Sequence, residues 1–379
     1  MHEQRPTRNS SMSEGDEEHR TGVVRALLVR MIMPTERDDA ARAQLERIAR
    51  RFPGLQYAMT DADATRFEFC SGFTDVGARR PVQPSTLFMA ASCTKVVTAD
   101  AIRTLVDRGC VVLARPLSDY YAEHPYGRDV TVGHLLAHTG GVPNPLPINW
   151  LHPIEEELDE DRALASVLRA HPNLRFTPGT RYAYSNLGYW LLGKVIERAS
   201  GSSYTKFVQD EVLGSLGIAK DEIGFAVSDI ARLARGYERA WSPTGLFVRV
   251  AVRRSLLDGR EGPWLRFARV SMNGAAYGGA FATARGFCAF LRAQLARPPS
   301  VVFGWRAGEL MSVPWFSKPG GGPGFCGNVR VYPSVGIATA WFANRMAISE
   351  RQILELADAM DRIGLNVASP EGFEPSLAT

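Results

Sequence analysis

A serine three residues ahead of a lysine, Ser92 and Lys95, opens the apolar run LFMAASCTKVVTADAIRTL. On a helix that spacing puts hydroxyl and amine on one face, a potential base beside a potential nucleophile. The pattern recurs at Ser203 and Lys206, where the following Gln209, Asp210 and Glu211 read as a solvated helix face. Around Ser92 the neighbours are apolar instead: Phe88, Met89, Val96, Val97 and Ile102. Lysine is also scarce here. Of 44 cationic residues only Lys95, Lys194, Lys206, Lys220 and Lys318 are lysines. Arginine can fill most surface roles but cannot be deprotonated in a protein, whereas a buried lysine can. Desolvation and the positive end of a helix are both expected to lower the pKa of Lys95. A snorkelling surface lysine is the bland alternative, and the apolar flanks oppose it. Cys93 shares a poorer face with Lys95 than Ser92 does and reads as core.

Two further patterns could join this pair. In Tyr184-Ser185-Asn186 the first and third residues point the same way if the chain is extended, with a helix beginning near Leu187. A phenol there could relay protons, and an amide could orient Lys95 or bind a carbonyl. Equally, Tyr184 could be a satisfied core aromatic and Asn186 a helix N-cap. Lys318-Pro319-Gly320 opens KPGGGPGF, where glycines allow close backbone approach. A phosphate loop would need Gly-Lys-Ser/Thr leading into a helix, and a strand-like segment follows instead. No G-x-S-x-G is present.

The elements that must carry these residues follow from periodicity. A helix is expected over 36–51 and a hairpin over 55–60 and 66–73, then the Ser92 helix and another over 131–138. Residues 143–153 are proline-rich and irregular, 153–216 mostly helical, and 240–275 read as a long surface excursion. A helix over 284–296, alternating strands at 328–332 and 336–344, and a closing helix over 349–363 complete the chain. Strands at both ends with helices between suggest an α/β (α+β) sandwich. The expected division is a sheet domain from 36–115 and 275–365, a mostly helical domain over 116–274, and disordered ends at 1–35 and 366–379. Met31 or Met33 is an alternative start.

At 379 residues the chain can bury a large core, and 45% hydrophobic with 22% charged residues is ordinary for a globular protein. A net charge of +4 is too small to argue for nucleic acid. Cys70, Cys93, Cys110, Cys288 and Cys326 are odd in number and lack metal-ligand spacing. They suggest small core residues in a reducing compartment. Residues 22–33 are interrupted by Arg25 and Arg30 and are not expected to form an export signal or a membrane span. A cytoplasmic protein without metal, cofactor, nucleic-acid or membrane partner is the expectation, its oligomeric state open.

Ser92-x-x-Lys95, Tyr184-x-Asn186 and Lys318-x-Gly320, in that order, resemble the serine β-lactamase and penicillin-binding-protein superfamily. VTVGHLLAHTGGVP, GGAFATARGFCAFL and GFCGNVRVYPSVGIATAWFAN add to the resemblance, which covers roughly residues 45–345. The branch it is most similar to holds class C β-lactamases and family VIII carboxylesterases. What this implies is a β-lactamase-like fold, with an antiparallel sheet formed from both chain ends, flanked by helices, plus a helical insertion. It also implies an acyl-enzyme on Ser92, with Lys95 and Tyr184 sharing the base role. Asn186, Lys318, Gly320 and Gly321 would bind substrate, and the N–H groups of Ser92 and Gly321 would form the oxyanion hole. His134 and His138 would be structural. Lys318 favours a carboxylate-bearing substrate; Pro319, where relatives carry a hydroxyl, opposes it. Short-chain carboxylic esters are therefore the expected substrate, with weak β-lactam hydrolysis. A β-lactamase or D-amino-acid peptidase is the alternative, and a non-catalytic sensor module a further one.

Overall fold

Strands from the two ends of the chain meet in one antiparallel sheet. The computed structural model describes residues 36–146, 150–156, 159–347 and 349–368. The extension expected over 1–35 and the tail from 369 lie outside the described residues. β1 (Gly54–Thr60), β2 (Thr65–Asp75) and β3 (Arg80–Pro81) come from one end. β4 (Arg306–Leu310), β5 (Val313–Gly322), β6 (Phe325–Tyr332) and β7 (Ile337–Ala343) come from the other. Their order is β4–β5–β6–β7–β1–β2–β3, and the two ends join where Leu55 of β1 faces Ala343 of β7. The β1–β2 hairpin turns at Asp61, whose carboxylate accepts the N–H groups of Asp63 and Ala64.

The longer helices are α1 (Glu36–Ala49), α2 (Thr94–Asp107), α3 (Glu160–Ala170), α4 (Asn186–Ser200), α5 (Pro243–Ala251), α6 (Ala284–Ala296) and α7 (Glu350–Ala368). Leu45 of α1 and Leu356, Ala357 and Met360 of α7 pack with Tyr57, Met59, Phe69 and Trp341 on one sheet face. On the other, Ala58, Val329, Val331 and Phe342 join Phe287 and Phe290 of α6, and the same apolar cluster continues into α2 and α4. Each large apolar side chain so buried contributes about 1.5–3 kcal/mol. Among the described residues no helix is long and apolar enough to cross a membrane.

The strands expected at 328–332 and 336–344 are β6 and β7, paired antiparallel and buried along their whole length because helices cover both faces. Two expectations need correction. Residues 240–275 are not a structureless excursion. They hold α5, the hairpin Leu257–Glu261 with Trp264–Phe267, which pairs on with Tyr237–Arg239, and the strand Val270–Met272, which pairs with Leu151–Pro153. The closing helix continues to Ala368, into the stretch from 366 expected to be disordered.

A charged cluster ties α7 to the sheet. Arg330, wholly buried in β6, donates to Asp358 at 2.7 Å and Asp361 at 3.2 Å, and Asp361 also accepts from the Tyr332 hydroxyl at 2.8 Å and the Tyr57 hydroxyl at 3.3 Å. Removing one member of such a set strands the opposite charge. Asp361→Ala is expected to lower stability by about 3–5 kcal/mol, read from the midpoint of chemical denaturation. An unchanged midpoint would mean that the cluster does not hold α7 in place.

Candidate active site

The chain reaches Ser92 through a strained turn. Ala91 sits at φ +46°, in the left-handed region that an alanine adopts at a cost of about 1–3 kcal/mol. Residues Ala91–Cys93 form a single 3-10 turn that runs directly into α2. Ala280 braces both sides of it: its carbonyl accepts from Ala90 N–H at 2.8 Å, and its N–H donates to Thr94 Oγ1 at 3.2 Å.

Lys95, one residue into α2, is fully buried. Its Nζ lies 3.1 Å from Ser92 Oγ, 2.8 Å from Asn186 Oδ1 and 2.5 Å from the Tyr277 carbonyl. Burial pushes its pKa well down, and the nearby Lys318 cation pushes it further. A neutral amine has two N–H donors and one lone pair. Donating to Asn186 and Tyr277 leaves the lone pair for the Ser92 hydroxyl proton.

The Tyr184 hydroxyl lies 2.6 Å from Ser92 Oγ, and burial raises its pKa, so the phenol keeps its proton. The expectation of an extended 184–186 segment with the helix starting near Leu187 is corrected by one residue. Ser185 is the N-cap, its side chain accepting from Gly188 N–H, and Asn186 is the first residue of α4. His138 holds Tyr184 from both sides. Its carbonyl accepts from Ala183 N–H at 2.8 Å and its Nδ1 from Ser185 N–H at 3.2 Å, while its ring lies 4.6 Å from the Tyr184 ring. Burial first, then Lys318 and Lys95, keep this imidazole neutral. His134 caps a short helix with Thr131, as expected of a structural residue.

Lys318, Gly320 and Gly321 lie on β5. From Lys318 onward β5 pairs only with β6, since β4 ends its pairing at Ser317. That free edge accommodates Pro319, which has no N–H to offer a neighbour. It also lets the nucleophile turn come close: a Cβ on Gly320 would lie 2.6 Å from Ala90 O and 2.9 Å from Cys93 Sγ. The thiol of Cys93 donates to Lys318 O at 3.3 Å, and burial pushes its pKa up to about 12, which leaves it inert. Lys318 Nζ donates to Gly304 O at 2.8 Å, and burial lowers its pKa to about 8. KPGGGPGF is thus strand and hairpin, not a phosphate loop. Ser203 and Lys206 lie elsewhere, with Lys206 exposed and paired to Asp210.

All seven residues singled out in the sequence gather here. Ser92, Tyr184, Asn186, Lys318 and Gly321 line one cavity of about 480 Å³, and Lys95 and Gly320 lie just behind its wall. The remaining lining is mostly apolar, with Phe247, Phe267, Met272 and Ile353 among it and the Arg306–Glu350 ion pair at one side. Sequence reasoning missed the Tyr277 carbonyl, which has no residue-type signature. It took His138 for a structural helix-end residue and missed its hold on Tyr184, a contact between remote segments that residue type and spacing do not announce.

Compared with known families, residues 36–359 match the one described as Beta-lactamase. The chain belongs to the beta-lactamase family. Members are serine hydrolases of the β-lactamase fold. Penicillin-binding protein 4 of Amycolatopsis lactamdurans is 26% identical over 339 residues, 82% of this chain and 84% of its own length. Esterase EstB of Burkholderia gladioli is 34% identical over 216 residues, 52% of this chain and 53% of its own. A penicillin-binding protein of Bacillus subtilis is matched over only 34% of its length. Among solved structures, the D-amino acid amidase of Ochrobactrum anthropi SV3 superposes with a TM-score of 0.73 at 20% identity, covering 87% of this chain and 99% of the amidase. That likeness establishes the fold alone.

In this beta-lactamase-family chain the approach of β5 to the Ser92 turn is set by Gly320. Gly320→Ala is expected to lower kcat about 100-fold by displacing Ser92, with the protein still folded by circular dichroism. Wild-type kcat in this variant would show that the turn does not depend on that contact.

Proposed function

We propose that the chain is a serine hydrolase that cleaves carboxylic esters through an acyl-enzyme on Ser92. The observation that carries this is the buried Lys95 amine, its pKa pushed well down by desolvation and its Nζ 3.1 Å from Ser92 Oγ, with Ser92 lining an apolar cleft. Ser92 Oγ attacks the ester carbonyl and its proton passes to Lys95. The N–H groups of Ser92 and Gly321 receive the oxyanion, each worth about 3 kcal/mol. As the tetrahedral intermediate collapses, the leaving alkoxide takes a proton from Tyr184, and the phenolate takes back the proton that Lys95 received from Ser92. Water then attacks the acyl carbonyl, gives its proton back along the same relay, and frees Ser92. Five unpaired thiols suit a reducing, cytoplasmic setting.

Esters are favoured over carboxylate-bearing lactams and peptides by the apolar lining and by Pro319. The rival reading, a β-lactamase or D-amino-acid peptidase, is favoured by Lys318, a cation that could meet a carboxylate. A sensor module that is never turned over has no use for a complete relay.

Ser92→Ala is expected to reduce hydrolysis of p-nitrophenyl butyrate by about 10,000-fold or more. Retained activity in that variant would sink the mechanism. The pH dependence separates the two substrate classes. Below about 8 Lys318 is charged and above it neutral. The KM for nitrocefin, which carries a carboxylate, is therefore expected to rise as pH passes 8, while the KM for the neutral ester stays level. Parallel KM profiles would remove Lys318 from substrate binding.

A further inference from the structure

Helix α5 stands at the mouth of the cleft with its apolar side turned out. Of its residues only Gly245 and Val248 are buried. Leu246 and Phe247 are exposed, Val250 is 90% exposed, and Trp241 just ahead of the helix is 67% exposed. Phe247, Val248 and Val252 also line the cleft, so the outer apolar patch and the path to Ser92 are one continuous surface. Globular proteins rarely leave such a patch bare at a pocket mouth without a use for it.

The rim of this patch is basic. No acidic residue occurs between Arg239 and Leu257, and Arg239, Arg249, Arg254 and Arg260 are all exposed. Arg249 lies 4.6 Å and Arg260 6.0 Å over the Trp241 ring. Nearby carboxylates are already engaged: Asp258 with Arg235 and Arg266, Glu261 with Arg266, and buried Glu238 with the Ser242 hydroxyl. Apolar residues and a tryptophan ringed by arginines match the boundary of a bilayer with negative headgroups. A second copy of the chain is a poorer occupant, since a two-fold contact would set arginines against arginines. The helix is far too short to span a bilayer and would lie in its surface.

We infer that α5 docks the cleft mouth onto an anionic lipid surface and that the substrates are esters with long acyl or alkyl chains, drawn from that surface. The substrate class rests on the ester reading above; the docking does not. It revises the expectation of no membrane partner. The chain slides from the bilayer past Phe247 and Val248, and its ester carbonyl reaches Ser92 without crossing water.

The test is co-sedimentation with vesicles of phosphatidylcholine, with and without phosphatidylglycerol. Wild type and Ser92→Ala are expected to bind the phosphatidylglycerol vesicles, more weakly as salt rises. Leu246→Glu/Val250→Glu and Arg249→Glu should each lose about tenfold or more in binding. None of these three residues lines the cleft, so turnover of soluble p-nitrophenyl butyrate without vesicles should match wild type and report intact folding. Hydrolysis of p-nitrophenyl palmitate held in the vesicles should fall with binding. Wild type remaining in the supernatant, or variants binding equally well, overturns the docking. So does a wild-type dimer that Leu246→Glu/Val250→Glu converts to monomer, which would make a second copy the occupant. Vesicle binding without any ester turnover keeps the docking and removes the ester reading, whereas soluble-ester turnover without vesicle binding does the opposite.

Discussion

An amine sealed away from water is the constraint on which the rest of this molecule depends. Holding Lys95 charged in its buried position would cost several kcal/mol, so the amine gives up its proton unless the surroundings compensate. The surroundings supply only neutral partners: an amide oxygen and a main-chain carbonyl that accept from the amine, and the Ser92 hydroxyl. Among the described residues none of its hydrogen-bond partners is a carboxylate. Those partners come from the 3-10 turn ahead of α2, from α4 and from the short helix Ala275–Gly278, and one apolar cluster packs these segments together. The core is therefore what lowers the Lys95 pKa.

The aromatic residues around Lys95 extend the same logic. Tyr184 and Tyr189 lie 5.0 and 5.5 Å from its Nζ and 5.4 and 5.8 Å from that of Lys318. Their rings exclude water yet offer negative faces to whichever lysine is charged at a given step. His138 belongs to this set. Kept neutral, it adds no third cation beside the two amines, and its main-chain and ring acceptors fix the residues on either side of Tyr184. A protonated imidazole could not accept from Ser185 N–H at Nδ1. The position of the phenol is thus linked to the charge state of a side chain that never touches Ser92.

What could be read from the sequence was whatever residue type and spacing encode. Ser92 and Lys95 were legible because their helical spacing survives across the 3-10 turn that holds Ser92 and the start of α2 that holds Lys95, and the β1–β2 hairpin because Asp61 marks its turn. The sheet drawn from both chain ends was legible from the position of the strand patterns. Most of β5 was missed because glycine and proline in KPGGGPGF mask a strand that needs them to let the Ser92 turn approach, and β4 was missed because RAGEL carries no apolar alternation. Residues 240–275 were missed because short strands and a nine-residue helix leave too little periodicity. Arg330 was unreadable for a different reason: nothing in β6 announces that its partners, Asp358 and Asp361, arrive 28 and 31 residues later on α7.

Substrate choice in the cleft comes down to what happens at Lys318. Its pKa, lowered from an ordinary 10.5 to about 8, corresponds to roughly 3 kcal/mol withheld from the charged form by burial. A substrate carboxylate would recover part of that by pairing with the ammonium, and a neutral ester would recover none. Recovery is fullest when a second donor shares the carboxylate, because a lone ion pair in a desolvated cleft leaves other lone pairs unmet. At Pro319 there is neither a hydroxyl nor an N–H to serve as that donor. Arg306, the other cation of the cleft, is already committed to Glu350. A carboxylate entering here gains one partner and forfeits its hydration, whereas an ester loses little water and gains the apolar wall. On the ester reading proposed above, the balance of those terms, more than Ser92 itself, is what favours an ester in this cleft.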